Sequence, residues 1–565
     1  MSNKPWTKVY PKHIPDTLEY EEKPLYSLLN ESAEEFPDKI SISFMGKKLT
    51  FKEVHQSAQK FASYLKKIGL QKGDRVAIML PNTPQAVISY FGILLAGGTV
   101  VQTNPQYMER ELEYQMKDSG AKIIVTLDLL FPRVASIAGR TDLKHIIVTA
   151  IKDYLPFPKN IAYPFIQKKE HGIVVKVEHA GSHHLFKEIM KMEVPSERPA
   201  PIDIDEDLAL IQYTGGTTGF PKGVMLTHRN LLANAKMCSA WLYKCRRGEE
   251  SVLGILPFFH VYGMTTVMIL SIMEGYRMIL LPKFNTEMAL KTIQKERPTM
   301  FPGAPTIYIG LLNHPSIQKY DLSSIDSCIS GSAPLPVEVQ EKFEKVTGGK
   351  LVEGYGLSET SPVTHANFLW DQPRVKGSIG VPWPDTEAVI LSLETGEPAE
   401  NMEIGEIAVK GPQVMKGYWN RPEDTAAVFK NGWLLTGDLG YMDDQGFFYV
   451  ADRKKDMIIA GGFNIYPREV EEVLYEHESI QEAAVAGVPH PYRGETVKAY
   501  IVLKEGASVT EEELDAFTRK HLAAYKIPRI YEFRKELPKT AVGKILRREL
   551  VDEEKRKIAK EKKDA

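Results

Sequence analysis

The chain has 565 residues, 43% hydrophobic and 25% charged, a composition that suits several packed globular units and excludes disordered and fibrous classes. Lys plus Arg total 71 against 73 Asp plus Glu, a net charge of -2, so binding to nucleic acid by counterion release is not expected and no nucleic-acid partner is assigned. Three cysteines, Cys238, Cys245 and Cys328, stand in no CxxC spacing, which fits neither a disulfide framework nor a zinc site and points to a reducing cytoplasm.

The first 20 residues mix Pro, Lys, His and Asp without an apolar run, so no secretory signal is expected. Thr50 and Glu53 have capping-box spacing before a helix over 51–67, with Val54, Ala58, Phe61 and Leu65 on one face. A strand (75–80), helix (85–96), strand (99–102), helix (109–119) and strand (122–126) follow, the alternation of βαβ units and a largely parallel sheet. The segment 154–199 breaks this rhythm with five prolines, and Tyr154, Phe157, Tyr163 and Phe165 alternate there with Lys159, Lys168 and Lys169. It reads either as a surface excursion or as a peripheral contact with a membrane surface, rings at headgroup depth and lysines on anionic lipid.

The βαβ pattern resumes over 208–330. Residues 252–273 contain no Asp, Glu, Lys or Arg and meet the length test for a membrane span. Pro257, His260, Tyr262 and Gly263 interrupt them, so the expectation is a buried strand, a loop and a buried helix. After Val381 come short strands and Gly-rich turns, then the charge run Asp452, Arg453, Lys454, Lys455, Asp456, expected as a solvated turn and domain boundary. A last unit carries a helix (468–476), strands (482–488, 497–503), a helix (511–522) and a lysine-rich tail. The fold class is therefore α/β: a large N-terminal domain (1–451) of two βαβ-type sheets with helices plus a small β-rich subdomain, a hinge (452–456), and a small mobile α+β C-terminal domain (457–565).

Tyr213-Thr-Gly-Gly-Thr-Thr-Gly-Phe-Pro-Lys-Gly223 follows an apolar strand. Its glycines permit close backbone approach, its threonines offer hydroxyls and Lys222 a charge, so it is either a polyphosphate cradle or a flexible turn. It is no P-loop, because the lysine follows Pro221 and Gly223 stands where Ser or Thr would meet magnesium. Further motifs follow in order: Pro257-Phe-Phe-His-Val-Tyr-Gly263, Gly331-Ser-Ala-Pro-Leu-Pro336, Glu353-Gly-Tyr-Gly-Leu-Ser-Glu-Thr360, Thr436-Gly-Asp438, Asp452-Arg-Lys-Lys-Asp-Met-Ile458, Gly461-Gly-Phe-Asn-Ile-Tyr-Pro467 and Pro538-Lys-Thr-Ala-Val-Gly-Lys544. Together they resemble the signatures of the acyl-adenylate-forming superfamily, which includes acyl-CoA synthetases, peptide-synthetase adenylation domains and beetle luciferases.

The resemblance implies two half-reactions: a carboxylate attacks the α-phosphate of ATP to give an acyl adenylate and pyrophosphate, then a thiol displaces AMP. By it, Thr214, Gly215, Gly216, Thr217, Thr218, Gly219 and Lys222 grip the β- and γ-phosphates, and Thr214 with Glu359 holds Mg2+. Gly331, Ser332 and Ala333 form one wall for adenine and Tyr355, between Gly354 and Gly356, the other, with Thr360 among the nucleotide contacts. Asp438 and Arg453 take the ribose. Lys544 serves the α-phosphate and the attacking carboxylate, and His260 orients or gates the carboxylate. Lys455 is the hinge about which the C-terminal domain swings, presenting Gly461, Gly462 and Phe463 to coenzyme A.

The chain ends in Asp552-Glu-Glu-Lys-Arg-Lys and a few more residues rather than a carrier domain, so free CoA is the expected acceptor. Phe258, Phe259, Met264, Val267, Met268 and Leu270 make the acid site apolar and offer no acidic partner for an amino acid. This favours a fatty acid, and among relatives the chain most resembles bacterial long-chain fatty-acid CoA ligases. An aryl-acid CoA ligase of the coumarate kind is the alternative, and a luciferase-like oxygenase shares the motifs. Oligomeric state is not legible, a homodimer being compatible with the sequence.

Overall fold

The computed structural model describes residues 4–171, 175–178, 181–194, 199–214, 221–372, 374–460, 463–490, 494–540 and 543–564. The helix at Phe51–Lys67 starts on Thr50, whose hydroxyl accepts from the Glu53 amide while Glu53 accepts from the Thr50 amide. Both donors at the helix start are thereby satisfied. Its Val54, Ala58, Phe61 and Leu65 are buried, and Gly92 on the helix Pro84–Leu95 lies so near that a Cβ there would stand 2.8 Å from the Phe61 ring.

An eight-stranded sheet forms the first layer, in the order Gly417–Tyr418, Lys222–Thr227, Leu208–Thr214, Thr99–Gln102, Arg75–Met79, Ile123–Leu127, His145–Thr149, His183–Leu185. Its strands run parallel except for the antiparallel first two pairings. The last strand corrects the reading of 154–199 as one excursion, because His183–Leu185 extends this sheet and Phe186 is buried in the core. A second layer joins Ser251–Gly254, Arg277–Leu280 and Ile40–Phe44 in parallel. Bridges through Met300 link it to the parallel pair Ser327–Ser330 and Lys350–Gly356. The 252–273 stretch is a buried strand, a loop and the helix Val261–Glu274, π-helical over Met264–Ile269. No helix among the described residues is long and apolar enough to cross a membrane.

The β-rich subdomain is an antiparallel sheet of Glu387–Ser392, Gly405–Lys410, Trp433–Met442 and Phe429–Lys430, with Phe448–Arg453 on Trp433–Met442. The C-terminal domain has its own five-stranded sheet and its own core around Val470, Leu474, Val485 and Ala499. Its tail, expected as a basic extension, forms the helix Arg547–Asp564. The charge run needs a second correction. Lys454 and Lys455 are exposed, but Asp452 is 3% exposed and accepts from the backbone amides of Arg453 and Arg468. A carboxylate so enclosed needs those donors.

Candidate active site

The cleft lies where the parallel strands end, the usual ligand position in open α/β sheets. Thr214 ends one strand, Gly331 follows Ser330 at the end of another, and Tyr355 and Gly356 end a third. Close packing explains the glycines: a Cβ on Gly356 would lie 2.0 Å from the Pro362 carbonyl oxygen, and one on Gly331 would lie 3.0 Å from the Tyr262 ring. Ser332 has φ +71°, a conformation unusual for a residue with a side chain and one that clusters at functional sites.

Three expected nucleotide residues come together. The Tyr355 hydroxyl donates to Asp438 Oδ2 at 2.6 Å, and Arg453 Nε stands 3.5 Å from Asp438 Oδ1. Asp438 and Arg453 face one another across two antiparallel strands, so backbone register fixes the pair. Burial, with Asp438 second, holds the Tyr355 phenol well above its usual range; it remains a neutral donor.

Glu359 is the middle residue of a single helical turn, Ser358–Thr360, and its Oε1 accepts from the Tyr418 hydroxyl at 2.8 Å. Tyr418 lies on the strand paired with Lys222–Thr227, and Lys222 Nζ sits 5.1 Å from its ring centroid and 2.5 Å from Asp424 Oδ1. Tyr418 thus connects Glu359 to Lys222, a link no motif announced. Thr360 is a correction: it is fully buried, and its hydroxyl bonds the carbonyls of Leu357 and Pro362, so it shapes the turn that carries Glu359 and does not reach the cleft. Thr214 Oγ1 lies 3.5 Å from the Lys222 carbonyl. Gly215, Gly216, Thr217, Thr218 and Gly219 lie outside the described residues, as do Gly461 and Gly462; Phe463 begins the strand Phe463–Ile465.

The C-terminal domain brings Lys544 into this cleft. A Cβ on Gly543 would stand 2.0 Å from Thr306 Oγ1 of the large domain, so the Lys544 turn is seated directly on it. Burial, then the charges of Arg453, Lys455 and Arg547 against the opposing pull of Asp438, push Lys544 down to about 7. His260 is pushed down to about 4, by burial first and the Lys544 charge second. Its Nδ1 accepts from the Tyr262 amide at 3.3 Å, which leaves the proton of a neutral ring on Nε2.

Beside these groups lies an apolar cavity lined by Tyr262, Thr266, Pro302, Ile329, Cys238 and Trp383 among others. No lining residue is charged, and Tyr262 also backs Gly331. The Cys238 thiol is raised by burial, which makes it an unreactive wall.

Two features were not legible as motifs. Glu353, on the Tyr355 strand, pairs at 3.5 Å with Arg468 of the C-terminal domain, their side chains 8% and 7% exposed. Arg468 also donates to the Val450 carbonyl, and Arg547, three residues beyond Lys544, pairs with Asp452 and Glu471. These contacts hold the domain that carries Lys544.

Comparison with known proteins places this geometry. Residues 29–419 match the family described as AMP-binding enzyme, and 469–544 match the AMP-binding enzyme C-terminal domain. The chain is 63% identical over 554 residues to a long-chain-fatty-acid–CoA ligase of Bacillus subtilis (strain 168), covering 98% of each. It is 40% identical over 559 residues to one of Escherichia coli O6:H1, covering 98% of this chain and 99% of that one. A crystal structure of the anthranilate CoA ligase AuaEII with anthranoyl-AMP superposes with a TM-score of 0.86 at 27% identity, covering 96% of this chain and 99% of that one. The chain belongs to the AMP-binding enzyme family.

Proposed function

We propose that the protein is a cytoplasmic long-chain fatty-acid CoA ligase. A fatty acid carboxylate oxygen forms a bond to the α-phosphorus of ATP as the bond to pyrophosphate breaks. The thiol of CoA then adds to the acyl carbon, AMP leaves and the thiol proton passes to solvent. The observation that carries the acid's identity is the cavity beside His260 and Gly331, uncharged throughout and walled by Tyr262, Ile329 and Trp383, which suits an alkyl chain and offers no partner for a second charge.

Joining a carboxylate to a triphosphate brings like charges together, so catalysis is mainly electrostatic. Arg453 and Lys544 supply cations to the cleft, and neutral His260 turns its Nε2–H toward the carboxylate as an orienting donor. Asp438 accepts from the ribose hydroxyls, with Tyr355 as an adenine wall against Gly331, Ser332 and Ala333. Lys222 and the 214–219 loop take the outer phosphates. Magnesium enters with ATP: among the described residues no cluster of three or more His, Cys, Asp or Glu could hold a metal. One carboxylate and one hydroxyl, Glu359 and Thr214, fit a hard cation that keeps phosphate and water oxygens.

Lys455, in the exposed turn between Phe448–Arg453 and Ile458–Ala460, is the hinge. Rotation there withdraws Lys544 and presents Gly461, Gly462 and Phe463 to CoA. The test is pyrophosphate release with CoA across alkanoates of increasing length and an aryl set. Rates that rise with alkyl length support the reading, and release with coumarate but no alkanoate overturns it.

A further inference from the structure

The helix Lys159–His171 is turned inside out. Gln167 is buried and Asn160, Tyr163 and Pro164 half-buried, while the apolar residues face water: Ile161 is 61% exposed, Phe165 75% and Ile166 48%, with Phe157 just before the helix at 78%. Ile161 and Phe165 are four apart on one face of the helix, and Phe157 is exposed just before its first residue. Soluble proteins do not leave such a patch without use.

Charge distinguishes the occupants. From 156 to the helix end at 171 there are three lysines, Lys159, Lys168 and Lys169, against one acid, Glu170. Lys159 Nζ donates to the Met45 carbonyl at 3.0 Å, which seats the start of the helix on the turn before the exposed Lys47 and Lys48. Asp153, the nearest preceding acid, is engaged in capping Ala150. A second copy of the chain on this face would set lysines against lysines, and protein interfaces are depleted in that residue. An anionic lipid surface takes both features together, rings among the upper acyl chains and ammonium groups on the headgroups.

We infer that the exposed Ile161 and Phe165 of this helix, with Phe157 before it and the neighbouring lysines, are a docking surface for an anionic membrane. This rests on the proposed function in one respect: a long-chain acid resides in lipid, and docking places the enzyme at its source. A single shallow helix gives weak, reversible, salt-sensitive attachment.

The experiment is flotation of the full-length protein with vesicles of phosphatidylcholine alone or mixed with phosphatidylglycerol. The wild type should float with the mixed vesicles and be released by salt. Phe157→Ser with Phe165→Ser should abolish flotation, and Lys168→Gln with Lys169→Gln should weaken it roughly thirtyfold, five- to sixfold per lysine. Turnover of acid dissolved below its micelle threshold should stay unchanged in both variants. Equal flotation of variants and wild type overturns the inference. So does a wild type that ignores both vesicles, or a serine variant whose only change is from dimer to monomer in sedimentation. Absence of turnover in solution with any acid tells against the ligase reading instead, since flotation is scored independently.

Discussion

The buried Glu353–Arg468 pair makes an asymmetric prediction. Burial, only partly offset by Arg468, pushes the Glu353 carboxyl up to about 7 from its usual 4.5. A raised value means that the seated C-terminal domain favours the protonated carboxyl. The contribution to seating is therefore complete below about 4.5 and lost as pH climbs through about 7. At 1.36 kcal/mol per unit, ionised Glu353 already opposes seating by about 3 kcal/mol at neutral pH. Removing Arg468 adds little there, because the acid can take a proton instead. Arg468 has no such escape, since guanidinium does not deprotonate in proteins. Without Glu353 it keeps its Nε bond to Glu472 at 3.0 Å and its donation to the Val450 carbonyl, so the loss stays below the about 3 to 5 kcal/mol of a wholly unpaired buried charge. Glu353→Leu should thus depress ATP–pyrophosphate exchange by roughly tenfold to a hundredfold at pH 7, and Arg468→Leu by less than about tenfold. Above pH 7 the Arg468→Leu defect should grow about tenfold per unit, as the lone acid must find a proton. The double Leu variant should recover much of the loss, because an apolar pair replaces a buried ion pair well. Thioester formation from supplied acyl adenylate should be spared throughout, with melting temperatures scored alongside. Equal losses for both single variants, or equal losses in both half-reactions, would refute the reasoning.

Lys544→Ala should lose exchange activity while retaining thioester formation from acyl adenylate; a parallel fall of both would deny the division of labour. Because Lys544 is pushed down to about 7 and phosphates would raise it, ATP binding at pH 8 should take up to one proton. Calorimetry in buffers of different ionisation enthalpy should show this uptake in the wild type and not in Lys544→Ala. Catalytic efficiency should climb with acid length by about fourfold per methylene, at about 0.8 kcal/mol each, until the cavity fills. Cys238→Phe, filling its wall, should move that plateau to shorter acids with adenylation of short acids intact; an unchanged profile would place the alkyl chain elsewhere.

The fold was legible because local signals agreed with one another. The Thr50–Glu53 box marked the helix start, and the βαβ rhythm named the parallel core. The site was legible where chemistry sits in a contiguous motif, as at Tyr355 and Asp438, which the strand ends bring to 2.6 Å. Thr360 belonged to such a motif and still faced inward, since a motif marks a segment and not the direction of each side chain. Tyr418, Asp424, Arg468 and Thr306 escaped because their partners lie 59 to 237 positions away in the chain. Nothing in their neighbours marks them. Asp452 looked like part of a solvated charge run because composition does not show which of five charged residues turns inward.

The most direct measurement is a single turnover in two stages. Enzyme mixed with hexadecanoate and magnesium ATP without CoA should release about one equivalent of pyrophosphate per site and hold hexadecanoyl adenylate. Adding CoA should convert that adenylate to hexadecanoyl-CoA with release of AMP. Formation of ADP and phosphate, or thioester appearing without a prior adenylate, would contradict the account.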